Sequence, residues 1–313
     1  SKIKYWIMIS RFKFAWVTLL ASSVLYGSKQ EFSILRDIAY TGSDNPHQTL
    51  DLYTPRSLNL SSGKLPVVVW IHGGAWKSGS KKSGNHPHRI PEIVATQRYA
   101  GVSIGYRLSQ DVKWPAQIHD CKAAIRWLRG NAKALGLDPD RIGVWGSSAG
   151  GHLASMLGTT TDYESLEGEI GDFRSFSSEV QAVVNYYGPS AFLRMDDQPG
   201  KIRHNAPESP ESQLIGHPIQ EAKKSAQNAS PLHHVSARDA PHFHFHGMQD
   251  SFVPYQQSLL LHHALQKEKV SSALISVQQA GHGMPVKFTQ EFVIPFFDFL
   301  FHGVGTFPKD LSL

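Results

Sequence analysis

The sequence predicts an α/β fold: a mostly parallel central sheet, helices on both faces and a small cap made from insertions. Three observations predict it. Strand-like apolar runs alternate with helical patterns along the body of the chain, the order that builds parallel sheets with covering helices. One run, Ile142-Gly143-Val144-Trp145, passes through Gly146-Ser147-Ser148-Ala149-Gly150 directly into a helical segment, Gly151 to Leu157. The chain has 313 residues, 41% hydrophobic and 18% charged, which suits a large globular domain and excludes a disordered chain or a membrane bundle.

Taken in order, residues 32–40 and 48–53 read as an antiparallel opening pair. Strands are then expected at Val67–Ile71, Val102–Tyr106, Ile142–Trp145, Val180–Tyr187, His242–His246 and Leu274–Val277. The clearest helix is Ala116–Leu135, where Ile118, Ala123, Ile125 and Leu128 fall at helical spacing. Leu137-Asp138-Pro139-Asp140 is expected to stop it. The single cysteine, Cys121, lies in this helix, so a disulfide framework is excluded and a buried structural thiol is expected. Residues 159–178 and 189–229 interrupt the alternation and are rich in polar and turn-forming types. Such insertions after strands shape the mouth of a site, so both are candidates for the cap. Phe192, Leu193, Met195, Leu214 and Ile215 could line an acyl or aryl pocket, or equally close the core of the cap. No internal repeat is evident.

The chemistry-bearing residues fall at strand ends. Small residues at Gly146 and Gly150 let strand and helix approach closely and push the Ser148 hydroxyl out of the backbone. The helix N-terminus beneath it offers the Ala149 N–H to developing negative charge. Alone, the pentapeptide also suits an ordinary Gly/Ser turn. Upstream, His72-Gly73-Gly74 follows the apolar run Leu65–Ile71, and bare glycine N–H groups there suit an oxyanion hole. Downstream, Asp250 follows the His242–His246 strand, and His282 lies between Gly281 and Gly283 after the next one. Asp239 is the rival acid, but it precedes its strand and should sit at the wrong end of the sheet. The chain order Ser148, Asp250, His282 is that of a serine–acid–histidine triad on an α/β sheet, unlike the two protease orders.

Together these stretches resemble the α/β-hydrolase esterases, specifically the bacterial feruloyl/acetyl esterase-like branch related to hormone-sensitive lipases. The likeness also draws on Gln48–Tyr53, Gly105-Tyr106-Arg107-Leu108, Trp114–Gln117, Asp120–Arg129, Ser230-Pro231, Phe245-His246-Gly247 and Val253-Pro254-Tyr255. It spans about residues 31 to 300. It implies a serine carboxylesterase acting through Ser148, His282 and Asp250, with an oxyanion hole from Gly73, Gly74 and Ala149, and with no cofactor and no metal. Candidate substrate contacts are His72, Trp76, Ser147 and Met284. The implied substrates are small esters carrying short acyl, acetyl or feruloyl groups, free or carbohydrate-linked. Two departures affect acyl preference: the loop is His-Gly-Gly-Ala instead of the fuller His-Gly-Gly-Gly, and Ser147 stands where many relatives carry Asp. The same triad would also serve an amide or formamide hydrolase of arylformamidase or peptidase type. A non-catalytic ligand-binding member is a third reading, opposed by the intact triad.

Other features lead elsewhere. His242, His244 and His246 share one face of a strand and could in principle bind zinc, but no carboxylate or thiolate pair accompanies them, so polar packing is preferred. His233-His234 and His262-His263 are expected at the surface. Trp76, Trp114, Tyr106 and Tyr255 could touch a sugar or phenolic ring, or belong to the core. Residues 1–27 place Lys2, Lys4, Arg11 and Lys13 before an apolar stretch and read as a signal peptide, hence export to the periplasm or outside the cell. An uncleaved anchor, or a helix over the site of a cytoplasmic enzyme, are the alternatives. The remaining 28–313 read as a single domain. Without residues 1–27 the net charge falls from +5 to +1, so nucleic-acid binding is disfavoured and membrane contact is confined to the leader.

Overall fold

β3 (Leu65–Ile71) shows how the sequence builds the core. Its side chains alternate between faces. Val67, Val69 and Ile71 enter one apolar cluster, and Val68 and Trp70 enter the other. The computed structural model describes residues 31–56, 64–161, 163–198 and 200–313. The leader expected at 1–27 lies outside the described residues. Residues Glu31–Leu313 pack as one unit.

Among the described residues the sheet has nine strands. The remaining ones are β1 (Phe32–Ala39), β2 (Thr49–Pro55), β4 (Ala100–Ile104), β5 (Leu137–Ser147), β6 (Ala182–Tyr186), β7 (His242–Gly247), β8 (Ser272–Val277) and β9 (Leu311–Ser312). Their spatial order is β1-β2-β4-β3-β5-β6-β7-β8-β9. β1–β2 and β2–β4 pair antiparallel and every other pair is parallel. Helices cover both faces. α2 (Ala116–Leu135) and α3 (Ala149–Thr159) pack on one side through Ile118, Ile125, Leu128, Leu153 and Leu157. α1 (Ile90–Ala95) and α8 (Ile294–His302) pack on the other through Ile90, Ile93, Phe296 and Phe297. α7 (Gln256–Lys267) lies on β7 and β8.

Several expectations shift. The strand expected at 102–106 occupies 100–104, because the chain leaves the ladder at Gly105, where a Cβ would meet His47 O at 2.7 Å. α2 ends at Gly136 in the left-handed conformation, whose N–H bonds Ala132 O. Residues 137–140 are therefore already strand. β9 carried no sequence signal: it is two exposed residues ordered by pairing with Ile275 and Ser276 of β8.

The first insertion holds α4 (Glu164–Glu167) and folds back on α2. There Glu167 accepts from Lys122 Nζ at 2.5 Å and Arg126 Nη1 at 2.9 Å. The second holds α5 (Pro210–Ile215) and α6 (Lys223–Asn228). Phe192, Met195, Leu214 and Ile215 are buried and Leu193 packs against the core, so these residues close the core and do not line a pocket. Cys121 is fully buried, and burial raises its thiol pKa well above the ordinary value. His234 and His262, expected at the surface, are buried. His234 bonds Asn228 O, and His262 bonds Ser272 and Asp310.

Among the described residues no helix is long and apolar enough to cross a membrane, and no group of three or more His, Cys, Asp or Glu could hold a metal ion. His242 and His244 are buried in the sheet with stacked rings, and His242 Nδ1 bonds Ala240 O. Burial pushes the His72, His152 and His242 pKa values down to about 4, so the folded protein keeps them neutral. Unfolded, each titrates near ~6.5. Between those values the unfolded chain binds protons that the folded chain refuses, so stability falls as pH drops from about 6.5 toward 4. Each group contributes at most ~1.4 kcal/mol per pH unit. His204 and Asp239, both raised, oppose this but are outnumbered by the depressed histidines. We expect the thermal midpoint to fall steadily between pH 7 and 5; a flat or rising midpoint would contradict the neutral buried histidines.

Candidate active site

Ser148 sits between the last residue of β5 and the first of α3, with φ 55° and ψ −122°. That left-handed backbone is costly for a residue with a Cβ and persists only where packing forces it. The forcing is visible in its neighbours. A Cβ on Gly146 would lie 2.2 Å from Gly150 O, and one on Gly150 would lie 2.0 Å from Ile71 O. Only glycines let β3, β5 and α3 converge so closely, and the turn between them thrusts the hydroxyl outward. Ala149, as the first helical residue, has an N–H with no partner inside the helix.

Three side chains from distant loops meet at this turn. His282 Nε2 is 3.0 Å from Ser148 Oγ, and His282 Nδ1 is 2.7 Å from Asp250 Oδ2. A carboxylate only accepts, so Nδ1 carries the proton and Nε2 is left bare toward the serine hydroxyl. Asp250 is held in turn. Its Oδ1 accepts from the backbone N–H groups of Phe252 and Val253 at 2.9 and 3.0 Å. Burial alone would raise its pKa; hydrogen bonds from His246 and His282 outweigh that and hold the carboxyl below the usual range. The rival Asp239 lies before β7, bonded to Ser236, and burial lifts its carboxyl to about 6.

His246 is the member that sequence reasoning missed. Its Nε2 lies 3.3 Å from Asp250 Oδ2 and 2.9 Å from Val253 O. Because Val253 O can only accept, Nε2 carries the proton, and Nδ1 accepts from Ser258 Oγ at 2.7 Å. The available signals were its place in Phe245-His246-Gly247, a stretch that carries the resemblance, and its position at the end of β7, four residues before the acid. Its alternation with His242 and His244 pointed to packing instead.

A cavity of about 430 Å³ opens above Ser148 and His282. Gly73, Gly74, Ala149 and Ser147 border it, as do Tyr187 and Phe252. The His72-Gly73-Gly74 loop is pressed onto the turn: a Cβ on Gly73 would lie 2.7 Å from Ser147 O. Of the expected substrate contacts, Ser147 borders the cavity together with Tyr187. Trp76 reaches its edge, but the indole is buried and its N–H is committed to His152 Nδ1 at 3.1 Å. His72 does not border it. Its ring is buried and stacked on Tyr106, with Nδ1 bonded to Gly73 O, so it braces the loop from behind. Met284 borders a neighbouring depression of about 110 Å³ with Trp70 and Arg89. Tyr106 is core, while Trp114 and Tyr255 bond Asn228 and Ser276. Of the two insertions, residues 189–229 reach the cavity through Pro189, Ile202, His204, Pro210 and Glu211; none of the described residues of 159–178 borders it.

Comparison with known proteins places this geometry. The BD-FAE family matches residues 50–265, most of the described domain. The chain belongs to the BD-FAE family. A Mycobacterium tuberculosis protein named Probable carboxylic ester hydrolase LipM is 34% identical over 222 residues, covering 71% of this chain. This BD-FAE chain spans only 49% of LipM's length, and 58% of Esterase LipC from the same organism, at 29% identity over 77% of this chain. Among solved structures, a truncated carbohydrate esterase from gut microbiota superposes with TM-score 0.76 at 29% identity, covering 88% of this chain and 98% of its own. An α/β-hydrolase fold is thus shown for this BD-FAE member.

Proposed function

We propose that this protein is a serine carboxylesterase that hydrolyses small esters through an acyl-enzyme on Ser148. The observation that carries the reading is the relay from Ser148 Oγ to His282 to Asp250, with links of 3.0 and 2.7 Å, at the floor of a cavity. Family membership supports it, as do esterase names among relatives.

In this mechanism His282 Nε2 takes the Ser148 proton as Oγ attacks the ester carbonyl. Asp250 keeps Nδ1 protonated and offsets the imidazolium charge. N–H groups of Ala149 and of Gly73 or Gly74 stabilise the oxyanion, each donor contributing roughly 3 kcal/mol. His282 then gives its proton to the departing alcohol, and water, activated by the same ring, releases the acid. Every proton in the cycle is carried by Ser148, His282, substrate or water. The basic-then-apolar composition of residues 1–27 supports placing this enzyme outside the cytoplasm, which fractionation of the expressed full chain would test.

The test is hydrolysis of p-nitrophenyl esters from acetate to decanoate, with methyl ferulate, acetylated xylan and an aryl formamide alongside. A cavity of about 430 Å³ is expected to favour short acyl chains, with rates falling beyond butyrate to hexanoate. A decanoate optimum would contradict the small-ester reading. Turnover of the formamide with silence on every ester would replace it with the amide-cleaving one.

A further inference from the structure

Part of the cavity border is the backbone of Gly73, Gly74 and Ala149; another part is made of side chains that the relay does not use. Phe252 is one of them. It is a large aromatic left 44% exposed, and its ring centroid lies 5.6 Å from that of His282. Lys201 Nζ stands 5.3 Å from the same ring, and the Lys201 N–H bonds Ser251 O at 2.7 Å, fastening the second insertion to the acid loop. The other feature is a pair. His204 Nδ1 lies 2.8 Å from Glu211 Oε2, both residues border the cavity, and each is only 2% exposed. His204 Nε2 is buried against the Phe252 backbone, without a hydrogen bond of good geometry.

A buried acid–imidazole pair is costly to desolvate and is weak evidence for stability alone. A buried nitrogen without a well-formed hydrogen bond adds to that cost. The mechanism says which half of an ester passes here. His282 must return its proton to the leaving oxygen, so the alcohol half departs past the His282 ring, within reach of Phe252. An exposed aromatic face accepts the C–H face of a flat ring, and a carboxylate beside an imidazole offers both acceptor and donor to hydroxyls. A plain alkyl alcohol would leave those polar groups unmatched.

Resting on the esterase reading, we infer that Phe252, Glu211 and His204 form the alcohol-side subsite and select a ring alcohol bearing free hydroxyls over an alkyl one. They are specificity-determining residues, distinct from the relay and from the oxyanion donors.

The experiment compares a monoacetylated methyl xyloside with butyl acetate, two esters that share one acetyl-enzyme. Wild type, Phe252→Leu and Glu211→Gln are assayed, with Ser148→Ala as blank. Wild type should favour the sugar ester, and each variant should lower the sugar-to-butyl ratio of kcat/KM by ~10-fold or more, mainly through KM. Because both esters pass through the same acyl-enzyme, kcat should move less than kcat/KM. If Glu211→Gln fails to fold, Phe252→Leu carries the test, since its ring is exposed. An unchanged ratio overturns the subsite. So does a variant that instead shifts preference between acetyl and butyryl esters of one alcohol, because the wall would then hold the acyl half. If wild type hydrolyses neither ester above the Ser148→Ala blank, the esterase reading itself falls; Ser148-dependent turnover with an unshifted ratio overturns the subsite alone.

Discussion

Ser148→Ala should lower kcat/KM for every ester by ~10⁴- to 10⁶-fold, because it removes the nucleophile and leaves only the oxyanion donors and binding. The fold should survive. Alanine keeps a Cβ, so the left-handed backbone at this position is no more strained than in wild type. Among the described residues, the side-chain bond given up is the 3.0 Å contact with His282. Ser148→Gly is the informative companion. It removes the same hydroxyl but relieves the positive φ, by about 1 kcal/mol, so it should be equally inactive and slightly more stable. Such a pair separates chemistry from strain. Turnover retained in either variant would dismiss Ser148 as the nucleophile.

Asp250→Asn is expected to cost ~10⁴-fold in kcat with little change in KM. The reason lies in the loop that holds the carboxylate. Oδ1 faces two backbone donors, Phe252 N–H and Val253 N–H. An asparagine must therefore place its carbonyl oxygen there, which turns its NH₂ toward His282 Nδ1 and His246 Nε2. Two donors would then face each other at His282. The ring can escape only by moving its proton to Nε2, and a protonated Nε2 cannot accept from Ser148. Activity near wild type, measured on an ester whose acylation limits the rate, would move the acid to another residue.

The sequence and the structure divide along the range of the forces involved. The Ser148 turn was legible because its requirement is local: two glycines must flank a serine between an apolar strand and a helix. The alternation of Val67 to Ile71 and the helical spacing of Ile118, Ala123, Ile125 and Leu128 are also local, and they placed the sheet and α2. Asp250 and His282 were found through their positions after strands, where a parallel sheet gathers its loops at one edge. The walls of the cavity obeyed no such rule. His72 looked like a substrate contact because it adjoins Gly73, but stacking on Tyr106 turns it behind the loop. Met284 follows His282 by two residues and still lands in a separate depression. His246 looked like one of three packing histidines until the chain after β7 curled back and laid Asp250 against it.

What the sequence by itself determined was the fold, the strained serine turn and the chain order of the residues that meet there, since periodicity and glycine placement act over a few residues. What only the tertiary structure decided was which side chains wall the cavity. Phe252, His204 and Glu211 come from two segments far apart in the chain, and their meeting depends on the second insertion packing onto the acid loop, a long-range contact that leaves no mark in local sequence.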